Sequence, residues 1–175
     1  MLSRDFSGPW QSRAIRDTLQ ALFLSELLRP SSELWILSAW VSDVEAIDNT
    51  ARSFSAVQSD WPAASIRLSE VVRVLAGRVG RLCVVVRDVE HNSQFIRTLR
   101  DLQMETNGRL GLAIAPTAHE KTIVGEDYVF GGSMNLTRSG LTSSEEHVLL
   151  RVDQKAAASR RLALQERWRG SLQWG

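Results

Sequence analysis

The sequence lacks any apolar segment long enough to cross a membrane. Its 175 residues are 43% hydrophobic and 23% charged, and no apolar run approaches the roughly 20 residues that a transmembrane helix needs. The first residues, MLSRDFSGPWQSR, also lack the apolar core of a secretory signal peptide. We therefore expect a cytoplasmic protein with no membrane partner. A chain of this length suits a single domain spanning residues 1–175.

Cysteine is nearly absent, and lysine is scarce. The single Cys83 lies in the apolar run LCVVV, so an internal disulfide is excluded and a buried thiol is expected. The 21 basic residues are 19 arginines and only two lysines, Lys121 and Lys155. A lysine at position 121 reflects either chance or a need for a compact ammonium in place of a planar guanidinium. The formal net charge of +1 neither indicates nor excludes a nucleic-acid partner, because the placement of charges matters more than their sum.

Helical and strand-like patterns alternate along the chain. Apolar spacing predicts helices over residues 11–29, 44–54, 65–80, 92–108 and 154–174, with Asn92 as the N-cap of the fourth. Apolar or alternating runs predict strands over residues 33–40, 81–88, 109–116 and 145–152, and a hairpin over 121–132. This order indicates an α/β protein with a mixed β-sheet flanked by helices on both faces.

The hairpin carries a set of polar residues that its structure alone does not require. His119 and Lys121 are two residues apart, so on a strand they point to the same face, roughly 6.5–7 Å apart. A returning strand would deliver Ser133 and Asn135 to the same end of the sheet. An imidazole can attack or donate a proton, and an ammonium, a hydroxyl and a carboxamide can hold anionic oxygens. This combination suits a phosphodiester better than a carbonyl.

The stretch HEKTIVGEDYVFGGSMNLT resembles the His-x-Lys-x4-Asp and Gly-Ser-x-Asn signature of the phospholipase D superfamily. Five residues stand where that family has them: His119, Lys121, Gly132, Ser133 and Asn135. The family's aspartate falls on Glu126, with Asp127 beside it, and in the family this acidic residue is a structural partner away from the reaction centre. The resemblance implies a single-motif phospholipase D-like domain. The stretch is most similar to phospholipase D-like proteins of bacterial DNA-modification and defence islands, which implies other defence proteins as partners.

The resemblance also implies a mechanism that needs no metal and no cofactor. His119 would be the nucleophile and form a phosphohistidine, while a second such histidine protonates the leaving oxygen and then activates water. Lys121 and Asn135 would neutralise the phosphate oxygens. Glu146 would accept a hydrogen bond from one ring nitrogen of His119 and so fix its tautomer.

The chain holds one copy of a motif that the family's site uses twice. His91 and His147 are not followed by a lysine two residues later, so neither completes a second copy. A single-motif chain can complete the site by pairing two subunits about a two-fold axis. We therefore expect a homodimer with the site on its axis.

Each candidate residue has a plainer interpretation beside the functional one. A lone histidine is more often structural than catalytic, but His119 has three motif partners at the family's spacing. Glu146, next to Glu145, also fits a solvated acidic pair, and His147 is interpreted as structural and His91 as a surface or capping residue. Trp40 is either a base-stacking residue or a core aromatic residue. Arg138 is either a phosphate ligand or a solvated arginine. Four C-terminal arginines fit either a nucleic-acid contact or a docked helix: Arg160, Arg161, Arg167 and Arg169.

Three functions from different classes follow from these residues. The first is a metal-independent nuclease acting on DNA or RNA, and the second is a lipid phosphodiesterase. The third is a non-catalytic subunit that binds nucleic acid or a partner protein. A lipid enzyme is expected to carry an interfacial apolar surface, which the sequence does not clearly supply. The nuclease is therefore the preferred interpretation.

Overall fold

Two continuous apolar runs form the central strands of the sheet. The computed structural model describes residues 2–8, 11–142 and 145–175. Every residue of β2 (Glu33–Ser38) is buried, and the middle five of the seven residues of β5 (Arg81–Arg87) are buried too. The two strands pair in parallel, and burial on both faces is what their continuous apolar sequences predict.

The remaining strands extend this pair into one large sheet and one small one. They are β1 (Leu2–Ser7), β3 (Glu45–Asp48), β4 (Ser65–Arg67), β6 (Leu110–Ala115), β7 (Thr122–Val124), β8 (Tyr128–Gly132), β9 (His147–Val152) and β10 (Gln173–Trp174). The large sheet has the order β1-β9-β8-β7-β2-β5-β6-β10, and β3 pairs with β4 separately. Only β2, β5 and β6 run parallel within the described part of the large sheet; its other pairs are antiparallel.

Helices cover both faces of the large sheet, as the sequence predicts. They are α1 (Ser12–Leu28), α2 (Leu68–Arg78), α3 (Ser93–Glu105), the short α4 (Arg138–Thr142) and α5 (Gln154–Trp168). The larger apolar core lies between the sheet and the first three helices, and it includes Phe23, Leu75 and Leu99. A smaller core joins α5 to the opposite face through Leu164 and Trp168.

The smaller core also contains the single cysteine. Cys83 is 1% exposed and packs in this core, as its apolar neighbours predict. Burial raises the pKa of the Cys83 thiol to about 12, so the thiol is neutral at physiological pH. Within the described residues, no helix is both long enough and apolar enough to cross a membrane.

The predicted helix over residues 44–54 is wrong, and so is the predicted start of the helix after it. Residues 45–48 and 65–67 form β3 and β4, and α2 begins only at Leu68. Ile47 and Ile66 are buried in the larger core, so burial against the helices outweighs local propensity. The fully buried Asn49 then holds the loop, accepting from the Phe54 amide at 3.0 Å and donating to the Pro62 carbonyl at 2.8 Å. Such side-chain to backbone bonds compete with helix formation.

Four neighbouring strands, β2, β7, β8 and β9, begin or end at one edge of the large sheet and position the candidate site. Leu37 near the end of β2 pairs with Thr122 at the start of β7, and Thr122 pairs with Gly131 near the end of β8. Gly132 pairs in turn with Val148 near the start of β9. Residues just before β7 and β9 and just after β8 therefore lie at the same edge, where β2, β5 and β6 also end. Ligand sites of α/β sheets commonly lie at the carboxyl ends of the parallel strands.

Candidate active site

Four of the motif residues line one open cleft at this edge. The cleft has a volume of about 840 Å³, and its walls include His119, Lys121, Gly132 and Ser133. The hairpin brings them together because β7 and β8 are antiparallel, so the residues before one strand and after the other are neighbours. The predicted convergence of an imidazole, an ammonium and a hydroxyl is therefore present in the structure.

Lys121 contacts His119 directly. Its Nζ lies 3.3 Å from Nδ1 of the ring and donates to the His119 carbonyl oxygen at 2.8 Å. An ammonium has no acceptor, so a neutral His119 facing it accepts at Nδ1 and carries its proton on Nε2. Burial lowers the pKa of the Lys121 ammonium; the charge of Glu146 opposes this shift and that of Arg87 adds to it.

Glu146 reaches the site, but its contact is not the predicted one. Ser133 Oγ donates to Glu146 Oε2 and accepts from the His147 amide at 2.9 Å. Among the described residues, the hydrogen-bond partner of the His119 ring is Lys121, so a bond from His119 to Glu146 is not formed there. The carboxylate still lies close enough to Lys121 to raise its pKa. In this structure Glu146 therefore orients Ser133 and faces the ammonium.

Asn135 does not line this cleft, and its side chain is held by the segment after β2. Its Oδ1 accepts from the Trp40 amide at 3.0 Å, and its Nδ2 donor has no hydrogen-bond partner among the described residues. The next residue, Leu136, donates to Ser38 Oγ at 3.0 Å and accepts from the Ser42 amide at 2.9 Å. The segment after β8 is thus tied to the segment after β2, and Asn135 is fixed between them.

Gly132 is required by a close backbone approach. A Cβ added there would lie 2.0 Å from the His147 carbonyl oxygen, which is far inside contact distance. The same carbonyl accepts from the Ser133 amide at 2.9 Å. The glycine therefore lets β8 and β9 close tightly behind the cleft.

Glu126 lies at the far end of the hairpin from His119. Ser32 donates to Glu126 Oε2 through its amide at 3.0 Å and its hydroxyl at 2.7 Å, and Arg161 lies 3.3 Å from Oε1. The two Ser32 bonds lower the pKa of the Glu126 carboxyl. The neighbouring Asp127 accepts through its main-chain oxygen, from the Asp153 amide at 2.7 Å. At this motif position, the Glu126 side chain therefore makes the structural contacts.

Three of the four C-terminal arginines dock helix α5 onto the hairpin. Arg160 pairs with Glu120, the residue between His119 and Lys121, and Arg167 lies 3.5 Å from the same carboxylate. Arg161 donates to the Glu126 carbonyl at 2.9 Å as well as pairing with its side chain. A docked helix is the interpretation that these contacts support. Glu120 was not identified from the sequence, although its place between the histidine and the lysine is a signal that could have found it.

Two further predicted residues lie outside this cleft. Arg138 begins α4, is exposed, and lines a separate cleft of about 470 Å³ together with Arg16 and Arg67. His147 points away from the site and pairs with Asp5 of β1 at 3.0 Å. Arg87, by contrast, lies close enough to Lys121 to act on its pKa. Its position as the last residue of an apolar parallel strand could have identified it from the sequence.

Trp40 and Asn92 also differ from their simplest interpretations. Trp40 follows β2 and is 50% exposed, so it is not a core residue. Asn92 is fully buried and makes no capping hydrogen bond to α3. Its side chain instead joins the segment after β2 to the end of β5, with bonds to Ala39, Val41 and Arg87 of 2.8–2.9 Å. Asn92 therefore occupies the predicted N-cap position of α3, but its side chain makes tertiary contacts in place of the capping bond.

Comparison with known proteins identifies similar folds among solved structures, but no similar sequence. No protein-family model matches the sequence, and no curated protein matches it. NucT from Helicobacter pylori has a TM-score of 0.65 at 15% identity, covering 99% of each chain. Nuc from Salmonella typhimurium, a phospholipase D family member, has a TM-score of 0.63 at 15% identity, covering 99% of this chain and 97% of that one. Phosphatidylserine synthase from Haemophilus influenzae has a TM-score of 0.65 at 13% identity. The likeness covers 99% of this chain but only 40% of the synthase.

Proposed function

From the premise that the chain has the phospholipase D superfamily fold, we propose that it is a metal-independent phosphodiesterase, and specifically a nuclease acting on DNA or RNA. The observation that carries this proposal is the contact of Lys121 with His119 in a cleft that Ser133 also lines. Two solved structures support it, NucT and Nuc, because the likeness covers 99% and 97% of those chains. The likeness to phosphatidylserine synthase spans only 40% of that protein, so it supports a lipid substrate less.

The proposed reaction has two displacement steps. A ring nitrogen of His119 attacks phosphorus, so a nitrogen–phosphorus bond forms as the bond to the leaving oxygen breaks. A second His119 gives its proton to that oxygen and then takes a proton from the attacking water, which releases the phosphate product from the first histidine. Lys121 and the Nδ2 amide of Asn135 donate to the phosphate oxygens, where negative charge is highest. Ser133 donates to them once its hydroxyl has turned away from Glu146, to which it donates in this structure.

The tautomer of His119 requires a rearrangement before attack. Nδ1 faces Lys121, so a neutral ring carries its proton on Nε2. A bound phosphate competes for the ammonium, because charge-assisted bonds to a phosphate anion are stronger than a bond to a neutral ring. Once Lys121 has turned to the phosphate, Nδ1 is free to receive the proton and Nε2 to attack. Substrate binding would thus prepare the nucleophile.

The second histidine is proposed to come from a second copy of the chain. The chain has one motif, and its open sheet face lies next to the cleft: Leu149 of β9 is 42% exposed and lines the cleft beside the exposed Arg151. A two-fold pairing across this face would bring two His119 side chains toward one another. Helix α5 covers the neighbouring part of the same face, so the uncovered part is where a partner has room.

A non-catalytic, nucleic-acid-binding subunit is the second candidate. The contact that favours it is the bond from Ser133 to Glu146, because it engages the carboxylate that the resemblance assigns to His119. A place in a bacterial DNA-modification or anti-phage defence system stays a prediction from the sequence resemblance.

A cleavage assay in excess EDTA tests the proposed function. Labelled single- and double-stranded DNA and RNA are incubated with the wild type, His119→Ala, Lys121→Ala and Lys155→Ala. Lys155 is the matched control because it is the only other lysine and is exposed on α5. EDTA-resistant cleavage by the wild type and Lys155→Ala, lost in the other two, is expected. Cleavage that EDTA abolishes would contradict the proposal, and binding without cleavage would favour the second candidate.

A further inference from the structure

An exposed tryptophan stands beside the phosphate-binding asparagine on a rigid segment. Trp40 is 50% exposed, whereas its neighbours Ala39 and Val41 are 3% and 2% exposed. The Trp40 amide donates to Asn135 Oδ1 at 3.0 Å. A large aromatic side chain is therefore exposed on the residue whose main-chain amide binds Asn135, which is proposed to contact the phosphate.

The backbone around Trp40 is fixed from several sides. Asn92, fully buried, accepts from the Val41 amide at 2.9 Å and donates to the Ala39 carbonyl at 2.9 Å. The Trp40 carbonyl accepts from Ser38 Oγ at 2.6 Å. Both peptide groups of Trp40 and both neighbours are thus held, so a ligand that stacks on the ring orders little additional chain. Rigid aromatic side chains give contact area at a low entropic cost.

A second ring extends this surface. The rings of Trp40 and His91 have centroids 6.1 Å apart and planes tilted by 35°. His91 is itself positioned by Ser42, whose Oγ lies 3.0 Å from Nε2. Neither ring belongs to the two apolar cores of the described residues, and packing alone does not account for an exposed tryptophan beside an exposed imidazole.

We propose that Trp40 and His91 form a nucleobase-stacking platform that makes the site select single-stranded DNA or RNA. Aromatic side chains beside a phosphate site bind the flat faces of bases in single strands without sequence preference. In a duplex those faces are covered by neighbouring base pairs, so a paired strand cannot use the platform. This inference rests on the proposed function for its substrate, but it concerns binding and is measured without cleavage.

The test measures binding to full-length protein in the His119→Ala background by fluorescence anisotropy. The ligands are a labelled single-stranded oligonucleotide, the same oligonucleotide with abasic residues throughout, and a duplex. The variants are Trp40→Ala, Trp40→Phe and Trp174→Ala. Trp174 is a matched control, since it is 42% exposed and pairs with Gly111 near the other end of the sheet.

Trp40→Ala is expected to weaken binding of the normal single strand by about tenfold and to leave binding of the abasic strand unchanged. Trp40→Phe is expected to keep most of the affinity, and Trp174→Ala all of it. An equal loss for normal and abasic strands, no loss at all, or no binding by the parent protein would each overturn the inference.

The failure of this inference can be told apart from the failure of the proposed function. If the base-dependent loss is found while the wild type cleaves nothing, the nuclease function fails and the stacking platform stands. If the wild type cleaves and Trp40→Ala binds and cleaves single strands equally well, the nuclease function stands and the platform fails.

Discussion

Ser133 donates its hydroxyl hydrogen to Glu146 and accepts from the His147 amide, so one serine joins the end of β8 to the start of β9 across the candidate site. This relationship gives Glu146 two tasks. Glu146 fixes the hydroxyl that faces the cleft. Its negative charge also raises the pKa of the Lys121 ammonium, against the lowering that burial causes.

Removing Glu146 is expected to lower kcat/KM by roughly ten- to a hundredfold, the range typical of groups that orient a reacting side chain. Glu145→Ala is the adjacent control and is expected to have little effect. Because Ser133 and Glu146 act as a pair, Ser133→Ala should lower kcat/KM by a smaller factor in the Glu146→Ala background than in the wild type. Strictly additive losses from the two substitutions would show that the hydrogen bond between them has no role in the reaction.

The pH dependence of kcat/KM is expected to report Lys121. Burial lowers the pKa of this ammonium below the usual 10.5, and kcat/KM follows the ionisation of the free enzyme. The rate should therefore fall on the alkaline side with an apparent pKa below 10.5, as the ammonium loses its proton. Lys121→Arg, which stays charged, should show lower activity without that alkaline decline. The same decline in both proteins would assign the ionisation to another group.

Glu126→Gln is expected to reduce stability at neutral pH without changing the chemistry of the cleft. The Ser32 bonds lower the pKa of Glu126, so its stabilisation is present above the unfolded value of about 4.5 and is lost as the pH falls through the folded value. The group is partly exposed, so the loss should be only about 0.5–1 kcal/mol in the free energy of unfolding.

Denaturant unfolding at neutral and acidic pH measures this difference, with Asp127→Asn as the neighbouring control. The difference between wild type and Glu126→Gln should shrink as the pH falls. A larger loss for Asp127→Asn than for Glu126→Gln would reverse the roles that the contacts give these two residues.

Gly132→Ala is expected to be strongly destabilising, by about 2 kcal/mol or more, because a Cβ there would meet the His147 carbonyl oxygen at 2.0 Å. Gly77→Ala is the matched control: Gly77 lies in α2 and an added Cβ meets nothing within 4 Å. That substitution should stabilise the chain by about 0.4–1 kcal/mol. Thermal unfolding of both variants checks the pair of outcomes. Equal stability of Gly132→Ala and wild type would mean that β8 and β9 do not approach as closely as described.

The periodic parts of the fold could be predicted from the sequence, and the parts set by distant contacts could not. The apolar runs of β2 and β5 and the hairpin of β7 and β8 have local patterns that tertiary packing reinforces. Residues 44–54 have no strong pattern, and the burial of Ile47 and the bonds of Asn49 decide their structure. The edge strand β1 was not predicted, and the helix predicted over residues 154–174 ends at Trp168, before β10. The sequences of both edge strands are short or mostly exposed and carry little signal.

The candidate site shows the same division. The spacing of His119, Lys121 and Ser133 was enough to predict that they would share one cleft, because strand geometry fixes it. The partner of Glu146 and the exposure of Trp40 depend on how loops from different strands meet, which spacing does not encode. Asn92 illustrates the point: its capping position is local, but its three hydrogen bonds are to residues far away or in another segment.

Trapping the covalent intermediate tests the proposed mechanism most directly. Wild-type protein and an end-labelled oligonucleotide are mixed in excess EDTA and quenched rapidly, and the labelled peptide is identified by mass spectrometry. The expected product is a nucleotide joined through phosphorus to His119, formed and lost at rates consistent with turnover and absent in His119→Ala. Turnover in EDTA with the label on another residue, or turnover that persists in His119→Ala, would contradict the mechanism.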